Sequence, residues 1–295
     1  MLKKALYPVG GLGTRFLPAT KVMPKEMLPV VDKPLIQYSF EEAVEAGCDQ
    51  HIFITGRNKN VLMNHFDHAY ELQRVLDEKE KNQLLSLTRD WLPKPGQVAF
   101  IRQQEPLGLG HAVWCARHYV QQESFAVLLA DEMMIPSGEP TLNRMVKVHA
   151  DTGASVIAVA EVPRDKVSSY GIIAPDGEVK GDVVKIKGMV EKPSPDKAPS
   201  NLSIIGRYIL RPEIFDYLEK GQRGAGGEIQ LTDAMQRMLE DGHKFYAVKC
   251  DGRRFDCGSR RGFLEANMGY ALQHEDMRDD MIKMMRRFLK EVEEG

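Results

Sequence analysis

Pro18, Pro24, Pro29 and Pro34 punctuate a stretch through which no regular element can run. Proline lacks a backbone donor and disfavours helix at the residue before it, so Met23 and Leu28 are expected to be extended. The stretch reads GGLGTRFLPATKVMPKEMLP. It follows a short apolar run at 5–9 and precedes a helical pattern that starts near Pro34. Pro34 suits a first helical turn, and Gly47 suits the C-terminal end of that helix. Long ordered loops in compact domains are usually functional, and the chemistry of this one agrees. Gly10, Gly11 and Gly13 leave backbone N–H groups accessible, while Arg15, Lys21 and Lys25 add fixed positive charge. That combination suits a polyphosphate, although a structural glycine turn satisfies the local pattern too. Phe16 stands where a dinucleotide fingerprint needs its third glycine, which disfavours a dehydrogenase, and the G-x-x-x-x-G-K-[ST] P-loop is absent.

Downstream, apolar runs at 51–55, 98–102 and 125–130 alternate with helical patterns at 58–67, 69–81 and 109–122. The unbroken apolar run at 125–130 reads as a strand covered on both faces. The alternation predicts an α/β fold with a Rossmann-like doubly wound sheet. After a helix at 140–152 and a strand at 154–162 the pattern changes. Strand-like runs at 170–174, 183–190 and 204–210 are joined by turns, so the sheet is expected to be mixed. Helices at 212–220 and 229–241 and a strand at 244–249 follow, and the chain from Ser259 reads as C-terminal helices. Met277, Met281, Met284, Phe288 and Val292 recur there at helical spacing. Such a stripe is expected to dock on the body of the protein or on a second subunit.

Several classes drop out on charge and spacing. A net charge of −2 offers no global attraction to nucleic acid or an anionic membrane, so any anion site must be local. No apolar run nears the roughly 20 residues that span a bilayer, and the run after Lys3 and Lys4 is too short for a secretory signal. Cys48, Cys115, Cys250 and Cys257 show neither CxxC nor zinc spacing and read as reduced thiols of a cytoplasmic protein. The histidines form no HxxxH or HExxH, so no zinc site is expected.

Further constellations stand at predicted strand ends. Asp131 closes the buried run, where ligands of open α/β sheets bind, and suits Mg²⁺ beside a phosphate; a capping aspartate is the plain alternative. Glu191 and Lys192 precede Pro193. On an extended chain they are expected to face opposite ways, one toward a hydroxyl and one toward a phosphate, unless they form a solvated pair. Asp256, next to Gly258, is either a second metal ligand or a turn aspartate.

Taken together, these pieces resemble the sugar-phosphate nucleotidyltransferase family, and most closely its bacterial branch that joins UTP to glucose 1-phosphate. The likeness is carried by GLGTRFLPATKVMPKEMLPVVDKPLIQY (11–38), FITGR (53–57), RQQEPLGLGHAV (102–113), VLLADE (127–132), YGII (170–173), MVEKP (189–193), GRYIL (206–210), GEIQLTDA (227–234) and FDCG (255–258). It implies Mg²⁺-dependent uridylyl transfer to glucose 1-phosphate, giving UDP-glucose and pyrophosphate. The body is then 1–258, with a nucleotide-binding part over about 1–135 and a sugar-binding part over about 136–258; 259–295 is a C-terminal helical segment that contacts another subunit of a dimer or tetramer. By the same resemblance, Gly10, Gly11, Gly13, Gln103 and Gly108 belong to the nucleotide. Arg15 and Lys25 act on the triphosphate, Asp131 and Asp256 on the metal, Gly171 and Glu191 on the sugar, and Lys192 on the sugar phosphate. Two departures stand out: Val9-Gly10 where the family often has Ala-Ala, and Glu132 where it often has aspartate.

Overall fold

The computed structural model describes residues 2–294. β1 (Lys4–Val9) runs into the proline-rich loop, which coils through single 3-10 turns at Thr14–Phe16, Ala19–Lys21 and Lys25–Met27. Leu28 is extended, as its proline neighbour requires. A minimal hairpin of β2 (Pro29–Val30) and β3 (Lys33–Pro34) leads into α1 (Leu35–Glu45), which ends before Gly47 at φ 92°. Then come β4 (Gln50–Thr55), α2 (Asn60–His65), α3 (Tyr70–Glu78), α4 (Asn82–Arg89), β5 (Val98–Arg102), α5 (Leu109–Cys115) and α6 (Arg117–Val120). They are followed by β6 (Phe125–Leu128), β7 (Glu132–Ile135), α7 (Thr141–Thr152), β8 (Ser155–Glu161), β9 (Gly171–Pro175), β10 (Val183–Glu191) and β11 (Leu202–Leu210). The chain closes with α8 (Ile214–Glu219), α9 (Leu231–Glu240), β12 (Phe245–Lys249), β13 (Arg253–Asp256), α10 (Arg260–Ala271) and α11 (Arg278–Glu294).

The large sheet has the order β5-β4-β1-β6-β11-β8-β12-β10-β9. Its first four strands are parallel. β11 runs antiparallel to both β6 and β8, and β10 runs antiparallel to β12 and β9, so the second half is mixed. Alternate side chains feed two cores. Leu6, Ile54, Phe125 and Val127 face α5, α8 and α9, whereas Tyr7, Val9, Ala126 and Leu128 face α1, α2 and α7. Both faces are therefore covered, which is why the run at 125–130 is apolar without alternation.

Two features of this topology bring the site together. The strand order reverses between β1 and β6, and the loop after β1 and the turn after β6 open at that switch point. An additional pairing of Ser203 with Ile172 returns β9 to β11, so the far end of the sheet curls back toward β6.

The sequence reading needs three amendments. The helix expected at 109–122 is interrupted at Ala116 (φ −87°, ψ −3°). α4 occupies a stretch with no assigned element, burying only Leu85. β7 and β13 pair as a separate ribbon, which neither short segment announces alone. α10 packs against this ribbon and the opening loop, where Ala266, Phe263 and Tyr270 join Met133, Phe255 and Leu28 in a satellite core. α11 buries no residue. No helix among the described residues is long and apolar enough to cross a membrane.

Candidate active site

The 3-10 turn at Lys25–Met27 sends its first two side chains to different partners. Lys25 Nζ reaches Asp131 Oδ2 at 2.5 Å, and Glu26 Oε2 takes Lys59 Nζ at 2.8 Å. Burial opposes the Lys25 charge, but Asp131 and Glu26 outweigh it and hold its pKa above the ordinary lysine value. Burial likewise pushes the Asp131 carboxyl up, yet Lys25, with Arg15 behind it, brings it below the usual range. Asp131 is thus an anion at neutral pH with an ammonium seated on one oxygen.

Asp256 comes to the same place through the ribbon. Cys257 N donates to the Asp131 carbonyl at 2.7 Å, and Gly258 N donates to Asp256 Oδ1 at 2.9 Å. A Cβ on Gly258 would lie 2.9 Å from Asp256 Oδ1, 3.0 Å from Asp131 Oδ2 and 3.5 Å from Arg15 Nη1. Only a residue without a side chain leaves that gap open. Arg15 is fixed beside it, donating to the Gly258 carbonyl at 3.3 Å, while its own carbonyl accepts from Arg260 Nε at 3.0 Å. Two carboxylates on one gap suit a hard cation that draws its other ligands from phosphates and water. Among the described residues, no cluster of three or more metal-ligating side chains adds to them.

Beside this cluster opens a cavity of about 620 Å³, lined by Gly10, Gly11, Lys21, Arg57, Lys59 and Gln103 among others. Gln103 is held in place: its Nε2 lies 3.1 Å from the Gly108 carbonyl and 3.0 Å from His111 Nδ1. Gly108 has φ 111°, and a Cβ there would meet the Ile229 backbone at 2.8 Å, so glycine is required on both counts. Gly13 lies deeper in the loop, with φ 65° and a carbonyl that accepts from Thr20 Oγ1 at 2.7 Å. Lys59 and its buried partner Glu26 had no sequence signal, because their pairing joins the opening loop to the start of α2.

The curled end of the sheet supplies the remaining residues. Gly171 pairs with Glu191 across β9 and β10, and a Cβ on Gly171 would stand 3.1 Å from Glu191 Oε2. Glu191 and Lys192 do not face opposite ways as an extended chain would place them. Lys192 adopts φ 48°, its N–H donates to the Tyr170 carbonyl at 3.0 Å, and its Nζ lies 3.4 Å from Glu191 Oε1. Pro193 keeps Lys192 from the right-handed helix, and the left-handed region turns its side chain back toward its neighbour. A non-glycine residue held there marks a position fixed by its surroundings.

The arrangement offers Arg15, Lys25 and a carboxylate pair on one gap, and a lysine held at a fixed turn on the curled end of the sheet. That is equipment for bringing two phosphorylated molecules together. A model of the nucleotidyl transferase family matches residues 4–273. A UTP–glucose-1-phosphate uridylyltransferase of Bacillus subtilis (strain 168) is 47% identical over 292 residues, 99% of each chain. Among solved structures, a UTP-bound UGPase from Acinetobacter baumannii superposes with a TM-score of 0.88 at 42% identity, covering 97% of this chain and 99% of that one. A UDP-glucose pyrophosphorylase complexed with UDP-glucose gives 0.84 at 42% identity, covering 93% and 100%. With a family model across most of its length and a full-length relative at nearly half identity, the chain belongs to the nucleotidyl transferase family.

Proposed function

We propose that the protein catalyses Mg²⁺-dependent transfer of a uridylyl group from UTP to glucose 1-phosphate, releasing pyrophosphate and UDP-glucose. The observation that carries this reading is the convergence of Lys25, Arg15, Asp131 and Asp256 on one gap beside a glycine-lined cavity. The substrates follow from the relatives, one named for UTP and glucose 1-phosphate and two solved with UTP and with UDP-glucose. A sugar-phosphate oxygen attacks the α-phosphorus, a P–O bond forms there, and the bond to the bridging oxygen of the departing pyrophosphate breaks. Two unit charges 4 Å apart repel by about 1 kcal/mol in water and about 4 kcal/mol at an effective dielectric near 20. Offsetting that repulsion is the main task, and no protein nucleophile is needed.

Gly10, Gly11, Gln103 and Gly108 would seat the uracil and ribose, with Gly13 shaping the loop that follows. Arg15 and Lys25 would hold the triphosphate and take up charge on pyrophosphate. Gly171 and Glu191 would contact the sugar, and Lys192 would hold its phosphate in line. Mg²⁺ on Asp131 and Asp256 would neutralise charge between the two reactants. The test measures pyrophosphate release from each nucleoside triphosphate paired with each sugar 1-phosphate, with and without EDTA. UTP with glucose 1-phosphate should be the preferred pair, and EDTA should abolish turnover. Turnover with dTTP and none with UTP would overturn the uridylyl assignment, and turnover unaffected by EDTA would overturn the metal.

A further inference from the structure

Asp131 and Asp256 stand at one end of the β7–β13 ribbon, where Glu132 registers with Asp256 and Met134 with Arg254. Across that ribbon Arg254 grips Glu132 with two parallel hydrogen bonds, Nε to Oε2 and Nη2 to Oε1, each 2.7 Å. Both side chains are nearly buried, at 12% and 14% exposure, so the pair is little screened. The guanidinium also lies over the Tyr170 ring, 4.8 Å from its centroid. Tyr170 is the residue whose carbonyl holds the Lys192 N–H. The turn at Asp131 is gripped from its other side by Arg207, which is 1% exposed. Arg207 donates to the carbonyls of Glu132 at 2.7 Å and Leu129 at 2.9 Å while its Nη2 pairs with Glu42 at 2.8 Å.

We propose that Glu132 and Arg254 form a positioning pair that sets the separation of Asp131 and Asp256 and ties it, through Tyr170, to the Lys192 turn. The proposal rests on reading those two aspartates as the carboxylates of the metal. The polar ends of the pair are spent on each other and on Tyr170, so the role assigned to them is positioning and not contact with substrate. Bidentate pairing fixes direction as well as distance, and here it spans the strand that ends in Asp256 and the strand that Asp131 leads into. It also occupies both oxygens of Glu132, so a third carboxylate beside the gap is kept from competing as a ligand. Groups that orient metal ligands typically change affinity 10- to 100-fold when removed.

The full-length chain is saturated with UDP-glucose and titrated with Mn²⁺, bound metal being read from loss of the free-ion paramagnetic resonance signal. The Michaelis constant for glucose 1-phosphate and the thermal midpoint are measured alongside. Glu132→Gln is expected to weaken Mn²⁺ binding about tenfold and to raise that Michaelis constant together with it. The double variant Glu132→Met with Arg254→Met removes both charges and leaves neither partner as an unpaired buried ion, so it is expected to fold even where a single change does not. It should show the same two shifts with a thermal midpoint near that of the wild type. Variants with wild-type Mn²⁺ affinity and Michaelis constant, whatever their thermal midpoint, overturn the positioning role alone. A wild-type protein that takes up no Mn²⁺ overturns the aspartate reading and this proposal with it.

Discussion

On the proposed reading, Lys25 and the metal ion would compete for the same oxygen. The ammonium sits 2.5 Å from Asp131 Oδ2, the atom that also faces the gap beside Gly258. A cation entering that gap must share or displace the lysine, which is then free to turn toward phosphate. Lys25→Met should therefore act with opposite signs on two readouts. Mn²⁺ binding to the free protein tightens, because Asp131 loses its internal counter-charge. Turnover falls about 10²-fold or more, the cost of removing a donor that stabilises developing charge. A variant that loses metal affinity and turnover together would show that the lysine supports the metal site and does not compete for it. At this scale the loop was readable in advance: Arg15, Lys25 and the glycines lie within one stretch of sixteen residues, 10–25, and their chemistry is local. Gly258 and Lys59 were not, because what matters about each is a neighbour brought in by folding. The 243 positions separating Gly258 from Arg15 carry no periodicity that would connect them.

Elements transmit their environment to single groups, and β4 gives a measurable case. His51 on this strand is buried beneath α1, 4.4 Å from the Phe40 ring centroid, with Nδ1 2.9 Å from the Tyr7 hydroxyl of β1. Burial pushes its imidazole down to about 4. The unfolded chain protonates the same group near 6.5. Above that pH the neutral native histidine costs nothing relative to the unfolded state. As pH falls from about 6.5 toward 4 the unfolded chain binds the proton first, and stability drops by up to about 3 kcal/mol. His51→Gln keeps an acceptor for Tyr7 and should flatten that part of the profile, measured as urea midpoint against pH. A variant with the wild-type slope places the acid sensitivity in other groups, of which His65, also lowered by burial, is the first to examine. Element type was legible wherever packing imposes a period, as in α1 and the parallel strands. It was not legible for β7 and β13, four-residue strands whose identity depends on pairing with each other. Nor did local rules foresee Lys192, where a strand end and a proline allow two backbone regions and the contact with Tyr170 selects one.

At the scale of the whole molecule the unpaired element is α11. In a folded protein most of a helix's stability comes from packing its apolar face. Here Met284, Phe288 and Val292 are 44%, 51% and 81% exposed, and the helix buries none of its residues. Its opposite side is laced with charge, including Lys283 with Asp280 and Arg287 with Glu291. The stripe expected from the sequence is present; Met281 near its start is half-buried, while Met284, Phe288 and Val292 stay exposed. A second copy is the partner that is always at hand, since a two-fold pairing needs only one self-complementary face. The protein is therefore expected to sediment as a dimer or larger assembly at micromolar concentration, and Met284→Ser with Phe288→Ser should shift it toward the monomer. Lys25, Arg15, Asp131 and Asp256 converge within one chain, so the dissociated variant should retain its turnover per chain while losing thermal stability. A wild-type protein that runs as a monomer overturns the assembly, and a monomeric variant without turnover would show that the partner completes the site.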